Sequence, residues 1–156
     1  MSNRYPTWWN TTLTLYNKYE DPQTQIITWH RHVLENCFWQ YVGSSIRINN
    51  IVIGSGSVIC RIPESSSFID KHSWILLPND QMSRYFTLAQ GDIVIKGNVS
   101  DTIDEYSDGH RSTDILSKYS KFQECLEIGS ISINVGGGRN NPHYLVSDSS
   151  SRTWDY

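Results

Sequence analysis

The sequence predicts a mainly β protein, a small antiparallel β-barrel or sandwich with one short α-helix and long mobile loops. Apolar and polar residues alternate in many short runs, which is the periodicity of half-buried strands. Polar turns separate these runs, so that about eight short strands follow one another along the chain. One stretch only, residues 112–123, combines capping residues with apolar positions at helical spacing.

Length, charge and cysteine content limit the class of protein. The 156 residues are expected to form one domain, residues 1–156, with a core of its own. A net charge of −3 and a pI near 5.9 exclude a basic protein that binds nucleic acid by neutralising phosphates, although they allow a surface that stands beside DNA. Cys37, Cys60 and Cys125 lie in or beside apolar stretches, which predicts buried thiols in a reducing compartment.

Targeting and membrane signals are not evident in the sequence. The first ten residues lack the apolar segment of a signal peptide. No stretch approaches the roughly 20 apolar residues of a membrane span. We therefore expect a soluble chain without a membrane partner, which stays inside a cell or inside something assembled in one.

The first predicted element is an antiparallel hairpin. Leucines alternate with threonines in TTLTLYN, and the Asp-Pro step of YEDPQTQ predicts a turn. In the following run, QIITWHRHVL, one face carries Ile27, Trp29 and Val33. The opposite face carries His30 and His32, which predicts a polar sheet face there.

Later elements follow from the same patterns. The GSGS stretch at residues 54–57 predicts a hairpin loop between two strands, and SWILLP at residues 73–78 predicts a short buried strand. Ile93 and Ile95 share one face of a strand that follows a Gly-Asp turn. The polar tail, residues 147–156, is predicted to be flexible.

No catalytic, cofactor-binding or metal-ligating residue is predicted. His30 and His32 could offer two imidazoles on one strand face, but no cysteine or carboxylate completes a set of four ligands. The GSGS stretch lacks the spacing of a nucleophile elbow. The glycine loop GGGRNN opens no helix and has no Walker lysine, and the acidic stretch does not match a calcium loop.

Aromatic residues are the most informative feature. Four of the six tryptophans fall within residues 7–39. Trp8 and Trp9 are adjacent, so that in an extended segment one can enter the core while the other stays available to a partner. We predict that at least one of them anchors an interface, and Trp154 in the tail is a third candidate.

Two loops are candidates for contact with a neighbouring molecule or with the lumen of an assembly. One is acidic and follows the predicted strand around Ile95. The other is rich in glycine and precedes the last predicted strand, HYLV. Their candidate residues are Asp101, Asp104, Glu105 and Asp108 in the acidic loop, and Gly136, Gly137, Gly138 and Arg139 in the glycine loop.

The segment WNTTLTLYNKYEDPQTQIITWHRHVLENCFW resembles the opening of small neck proteins, or minor capsid proteins, from tailed phages of Gram-positive bacteria. The likeness continues in the same order through FTLAQGDIVIKGNVSDTID, STDILSKY and ISINVGGGRNNPHYLV. It covers roughly two-thirds of the chain. The order and spacing of these blocks carry the resemblance, since no single block is diagnostic.

Such proteins look like head-closure, or stopper, proteins. The resemblance implies a small β-barrel with a helix that assembles as a ring of six or twelve copies. In that family the ring lies between the upstream portal-adaptor ring and the downstream tail terminator or tail tube. It retains the packaged double-stranded DNA, without sequence-specific binding, and docks the tail.

These implications give the expected function and location. We expect a non-enzymatic structural protein of the virion neck, without cofactors, assembled in the host bacterial cytoplasm and weakly associated when free. The longer middle of this chain and its tail depart from the shorter members of the family. Which loop enters the channel therefore stays open, as does the choice between a stopper and another neck or minor capsid role.

The rival hypothesis from another class is a small β-barrel ligand-binding module. Its Trp-rich face would hold a carbohydrate or a nucleobase by stacking. An enzyme, such as a His-dependent hydrolase, is the third hypothesis.

Overall fold

The computed structural model describes residues 5–49, 51–120, 124–136, 140–148 and 152–155, and for residues 43–48, 51–56 and 152–155 it describes the backbone alone. The strands are β1 (Thr11–Glu20), β2 (Ile27–Ile48), β3 (Ile51–Pro63), β4 (Ile93–Lys96), β5 (Cys125–Asn134), β6 (His143–Asp148) and β7 (Arg152–Asp155). The helices are α1 (Lys71–Trp74), α2 (Asn79–Met82) and α3 (Ser112–Ser120).

Six of these strands close an antiparallel β-barrel, as the alternating pattern predicts. The order around the barrel is β1, β4, β5, β6, β3 and β2, and β2 returns to β1. Closure depends on the length of β2, which pairs with β1 as far as Cys37 and with β3 from Phe38 onward. Because the sheet closes in this way, each barrel strand pairs with two neighbouring strands.

The core has two parts. The barrel interior contains Leu13 and Leu15 of β1 together with Val94, Leu126 and Val146 from three other strands. A second cluster lies outside β1 and β4, beneath α3. It consists of Tyr16, Ile93, Ile95, Ile103 and Ile115. The strands β1 and β4 are therefore buried on both faces, because α3 and the loop before it cover the outer one.

The predicted first hairpin is present. Its turn is held by the Asp21 carboxylate, which accepts hydrogen bonds from the backbone N–H groups of Gln23 at 2.8 Å and Thr24 at 3.1 Å. Side chains of this type initiate turns by bonding the backbone two or three residues on. The turn thus follows from local sequence.

The prediction of a polar histidine face is wrong. His30 and His32 lie on the inner side of β2, where His32 is opposite Leu15. The crossover segment, residues 64–92, covers them. The Trp74 ring meets His30 edge-on at 5.4 Å between centroids, and the Phe86 ring lies 6.3 Å from His32.

The predicted buried strand at residues 73–78 is also wrong, since the chain forms α1 and then a turn there. The Asp70 carboxylate caps α1 by accepting from the Ser73 N–H at 3.1 Å and from its hydroxyl at 2.9 Å. Trp74 is fully buried, whereas Ile75 and Leu76 are exposed. A helix cap therefore overrides the apolar run.

The largest difference from the predicted elements is an arm, residues 42–57, in which β2 and β3 continue beyond the barrel. Their pairing runs from Val42↔Ser57 to Ile48↔Ile51. The arm is about 20 Å long at the rise of a β-strand. Residues 54–57, predicted as a loop, lie inside β3, and the hairpin turns instead at Asn49, which has φ of 50°. Asparagine tolerates the positive φ that tight hairpin turns require.

The predicted flexible tail begins inside a strand. Ser147 and Asp148 complete β6, and residues 152–155 form β7, which pairs with β3 along the arm. The predicted helix is present from Ser112 to Ser120, while residues 121–123 lie outside the described part of the chain. None of the described helices is long and apolar enough to cross a membrane.

Candidate functional site

One of the two adjacent tryptophans is buried and the other is exposed, although they lie in a turn, closed by the Trp9 N–H to Pro6 carbonyl bond at 3.1 Å, and not in the extended segment that the prediction assumed. Trp9 is 7% exposed, whereas Trp8 is 65% exposed. Trp9 stacks on Tyr5 at 5.3 Å between centroids and meets His143 edge-on at 5.5 Å. Its ring also lies 6.3 Å from Phe38. Trp9 therefore locks the N-terminal segment onto the barrel and holds Trp8 toward solvent.

Hydrogen bonds of Tyr5 also hold the N-terminal segment on the barrel. The Tyr5 hydroxyl donates to the Pro142 carbonyl at 2.6 Å and accepts from the Glu64 N–H at 3.2 Å. The segment before β1 is thus attached to the start of β6 and the end of β3. Because its backbone is fixed, Trp8 can bind a neighbour at a small cost in conformational entropy.

The acidic loop, residues 101–108, is bonded to the protein rather than projecting freely, which differs from the predicted mobile loop. The Asp101 carboxylate pairs with Lys118 of α3 at 2.9 Å. Glu105 accepts from the Ser112 N–H at 2.8 Å and so caps α3. Asp104 accepts from the Tyr106 N–H at 2.9 Å.

The fourth carboxylate of this loop, Asp108, pairs with Arg111 at 2.9 Å. Each of the four carboxylates therefore has a partner within the loop, in α3 or at Arg111, the residue before α3. Such local bonds order a loop, and they leave less negative charge available to an incoming cation.

The remaining predicted contact residues are described in part. Gly136 has φ of 82°, which suits glycine, and it lies just after β5. Gly137, Gly138 and Arg139 lie outside the described residues. Trp154 falls in β7, opposite Gly54 of the arm.

The barrel has a cleft where β2 and β3 diverge. The two strands pair only from Phe38↔Arg61 onward, so a seam opens between residues 31–35 and the end of β3. The seam cleft has a volume of about 610 Å³, and His32, Glu35 and Arg84 are among its lining residues.

His32 is the most perturbed titratable group of the seam cleft. Burial lowers its pKa to about 4, with a smaller effect of His30, so its imidazole is neutral near pH 7. Its Nε2 is buried and has no hydrogen-bond partner among the described residues. Among the described residues, no group of three or more His, Cys, Asp or Glu side chains is arranged to hold a metal ion.

A second concavity lies at the far end of β1. It has a volume of about 420 Å³ and is lined mostly by apolar surface. Lys18 and Tyr19 of β1 form one wall, and Lys71, Ile75 and Leu76 form another. Leu76 is 72% exposed. We call this concavity the α1 groove.

Sequence reasoning missed both the arm and the α1 groove. The arm was not predicted because its glycines and serines are typical of loops. The available signal was the Asn-Asn pair between two runs of isoleucine and valine, which is typical of a hairpin. The groove was hidden because Ile75 and Leu76 belong to an apolar run that predicts a buried strand. The Asp70 cap was the available signal against that strand.

No curated protein and no solved structure matches the chain. A model of a protein family of unknown function, DUF6751, matches residues 7–148. That range includes the whole barrel, both concavities and the arm. The chain therefore belongs to the DUF6751 family.

Proposed function

We propose that this protein is a structural component of the head–tail connector of a tailed phage. Copies of the chain form a ring in the virion neck that retains packaged DNA and docks the tail. The closed barrel is the rigid body of each subunit in this proposal. The resemblance of the sequence to phage neck proteins gives the proposal its starting point.

The observation that carries the proposal is the arm. A barrel of this kind could end at the Tyr41↔Val58 pair, where Val58 is still part of the buried core. The strands instead run on for seven further residue pairs. These pairs lie beyond the packed barrel, so we infer that they serve contact with another molecule. An arm of about 20 Å is long enough to reach a neighbouring subunit or the axis of a pore.

The edge of the arm suits contact with other subunits. Along residues 42–48, β2 pairs with β3 on one side and with no other described strand. Backbone N–H and C=O groups on its other side can accept a further strand. Two-stranded ribbons are marginally stable alone, and β7 adds a third strand only along residues 53–56, so we expect assembly to order the arm.

The low charge of the arm also fits a surface that contacts DNA without binding it tightly. Arg47 is the only charged residue among residues 42–57. Binding by phosphate neutralisation would need several cations on that surface. A stopper must release its DNA at ejection, and a nearly uncharged arm allows this.

The experiment is a deletion of the gene in the phage that carries it. We expect filled heads that lose their DNA and lack tails. Complementation with the wild-type chain should restore infectious particles. Normal tailed particles from the deletion would contradict the proposal.

Complementation also tests the arm itself. A shortened variant replaces residues 43–56 by an Asn-Gly turn between Val42 and Ser57 and ends at Asp148, because β7 pairs with the removed part. It should enter the particles but fail to retain DNA. The matched control ends at Asp148 with the arm intact. If both variants retain DNA equally well, the arm does not close the channel.

A second candidate, binding of a small ligand, is favoured by the seam cleft rather than by a tryptophan face. Of the tryptophans whose side chains are described, Trp8 alone is exposed, so these tryptophans do not share one stacking face. Titration with mononucleotides and oligosaccharides, followed by the NMR signals of His32, tests this candidate. Unchanged signals would remove it.

A further inference from the structure

We propose that residues 70–85 form an acid-sensitive cover, which lifts from the barrel when His30 becomes charged while the barrel strands stay paired. The cover contains α1 and α2, and its Trp74 ring contacts His30 on the inner side of β2. This change takes place within a single chain and does not require the proposed ring.

The cover is a loop whose two ends are tied together. Phe68 and Phe86 form a parallel bridge at its base. The Phe86 N–H donates to the Ser67 carbonyl at 2.9 Å, and the Ile69 N–H donates to the Phe86 carbonyl at 3.0 Å. These bonds lie outside residues 70–85, so the cover can move without breaking them.

The cover is also bonded internally, so it can move as a unit. Trp74 and Met82 are fully buried, and the Trp74 Nε1–H donates to the Tyr85 carbonyl at 3.0 Å and to the Met82 carbonyl at 3.3 Å. All three residues belong to the cover. A segment that keeps its own bonds can open at a lower free energy than the whole protein.

Trp74 and Lys71 hold the cover on β1 and β2. The Trp74 ring meets His30 edge-on at 5.4 Å and Tyr19 at 6.1 Å between centroids. The Lys71 ammonium donates to the Lys18 carbonyl at 2.6 Å. His30 is therefore part of the surface on which the cover is seated.

A charge on His30 opposes this seating. The Lys71 ammonium lies 4.7 Å from the centroid of the Trp74 ring, the same ring that His30 meets. A charged His30 places a second cation beside that indole, in a half-buried contact where like charges repel more strongly than in water. Burial lowers the pKa of His30, and the Lys71 ammonium lowers it further, so the closed cover disfavours the charged imidazole.

The buried carboxylate of this region, Asp92, does not compensate for that charge. Burial raises its pKa to about 6, so it is neutral at the acid pH at which His30 gains a proton. Its carboxylate accepts hydrogen bonds at 2.9 Å from the Lys18 N–H and from the Asn17 amide, both in β1. Because these bonds do not involve the cover, we expect Asp92 to keep them when the cover lifts.

Other charged groups lie beside His30 or on the cover. His32, two residues along β2, is itself disfavoured as a cation, because burial and His30 lower its pKa to about 4. Within the cover, the Asp70 carboxylate is bonded to Ser73, while His72 and Asp80 are exposed. The charged residues that line the seam cleft beside His32 are Arg31, Glu35, Glu64 and Arg84.

The sign of the pH effect follows from His30. Its neutral form favours the closed cover above the ordinary pKa of 6.5, and this contribution is lost as the pH falls. Each pH unit between the pKa values of the open and closed states changes the opening equilibrium by up to about tenfold. Lifting of the cover exposes Trp74 to solvent.

Hydrogen exchange of the full-length chain, followed by NMR from pH 7 to pH 4, tests the cover. Protection factors remove the direct effect of pH on the exchange rate. We expect protection of the Trp74 amide and indole N–H groups to fall about tenfold more than that of the Leu15 and Val94 amides in the barrel strands. Equal losses in both regions would show global unfolding and overturn the proposal, as would unchanged protection of Trp74.

Variants test whether His30 is the cause. His30→Phe keeps a ring against Trp74 but cannot become charged, so its cover should stay protected at pH 4. His110→Phe is the matched control, because His110 is exposed, and it should keep the response of the wild type. An acid response of His30→Phe as large as that of the wild type would overturn the proposal.

Lys71→Met gives an independent test if His30→Phe does not fold. It removes the ammonium beside the Trp74 ring, so the change in protection between pH 7 and pH 4 should be smaller than in the wild type, whatever the protection at pH 7. An equal or larger change would show that charge repulsion at Trp74 does not lift the cover.

Discussion

The side-chain amide of Asn17 donates to the Asp92 carboxylate at 2.9 Å in a part of the core where both residues are fully buried. The same amide donates to the Thr87 carbonyl at 2.7 Å, and the Asn17 Oδ1 accepts from the Thr87 N–H at 3.1 Å. These bonds join β1 to the chain that leads into β4. They fix the crossover segment to β1, and this segment covers His30 and His32.

Replacing Asn17 by alanine should therefore destabilise the protein strongly. The substitution leaves the backbone groups of Thr87 and part of the Asp92 carboxylate buried without partners, which should lower the free energy of unfolding by about 3 kcal/mol. Urea denaturation measures the change. Asn10→Ala, at an exposed position, is the control and should stay within about 0.5 kcal/mol of wild type.

The pH dependence of stability should reveal His32. Burial lowers its folded-state pKa to about 4, from an ordinary value of 6.5. The stability that neutral His32 contributes is present above pH 6.5 and is lost as the pH falls toward 4. His32→Phe should thus gain stability relative to wild type by about 3 kcal/mol between pH 7 and pH 4. A difference that stays constant over this range, in urea melts at each pH, would contradict the assignment.

Asp92 should act in the opposite direction. Burial raises its folded-state pKa to about 6, despite hydrogen bonds from Lys18 and Asn17 and the nearby Lys71 ammonium, which lower it. Its contribution is present below the unfolded pKa of 3.8 and is lost as the pH rises through 6. The stability of Asp92→Asn relative to wild type should therefore increase as the pH rises from 4 to 7, whatever the difference in stability between the two proteins at pH 4. A falling difference would show that the carboxylate is stabilised by its partners more than it is penalised by burial.

The tryptophan pair offers a matched comparison at neighbouring positions. Trp9→Ala removes the ring that packs on Tyr5, Phe38 and His143, so it should lower the free energy of unfolding by about 3–5 kcal/mol. Trp8→Ala should change it by no more than about 0.5 kcal/mol. Thermal and urea melts of the two variants test this contrast, and equal losses would show that Trp8 is part of the packing.

The sequence predicted the elements whose cause is local. The alternation in β1, the Asp21 turn and the strand containing Ile93 and Ile95 depend on near neighbours, and each is present. The arm depends on pairing between residues of β2 and β3, which periodicity does not reveal when glycine and serine dominate. The histidine face depends on Trp74 and Phe86, which come from a distant part of the chain.

The candidate surfaces follow the same rule. The adjacent tryptophans predict that one is buried and one exposed, but which one is decided by Tyr5, Phe38 and His143, at long sequence separations from one another. The acidic loop looks mobile by composition, yet its carboxylates bond to residues of α3 and to its own backbone. Tertiary contacts therefore decided what local patterns left open.

Electron cryomicroscopy of mature particles shows directly whether this protein forms part of the neck. We predict a ring of these barrels between the head and the tail, with each arm directed toward the channel axis. Intact, infectious particles whose neck contains none of this polypeptide would contradict it.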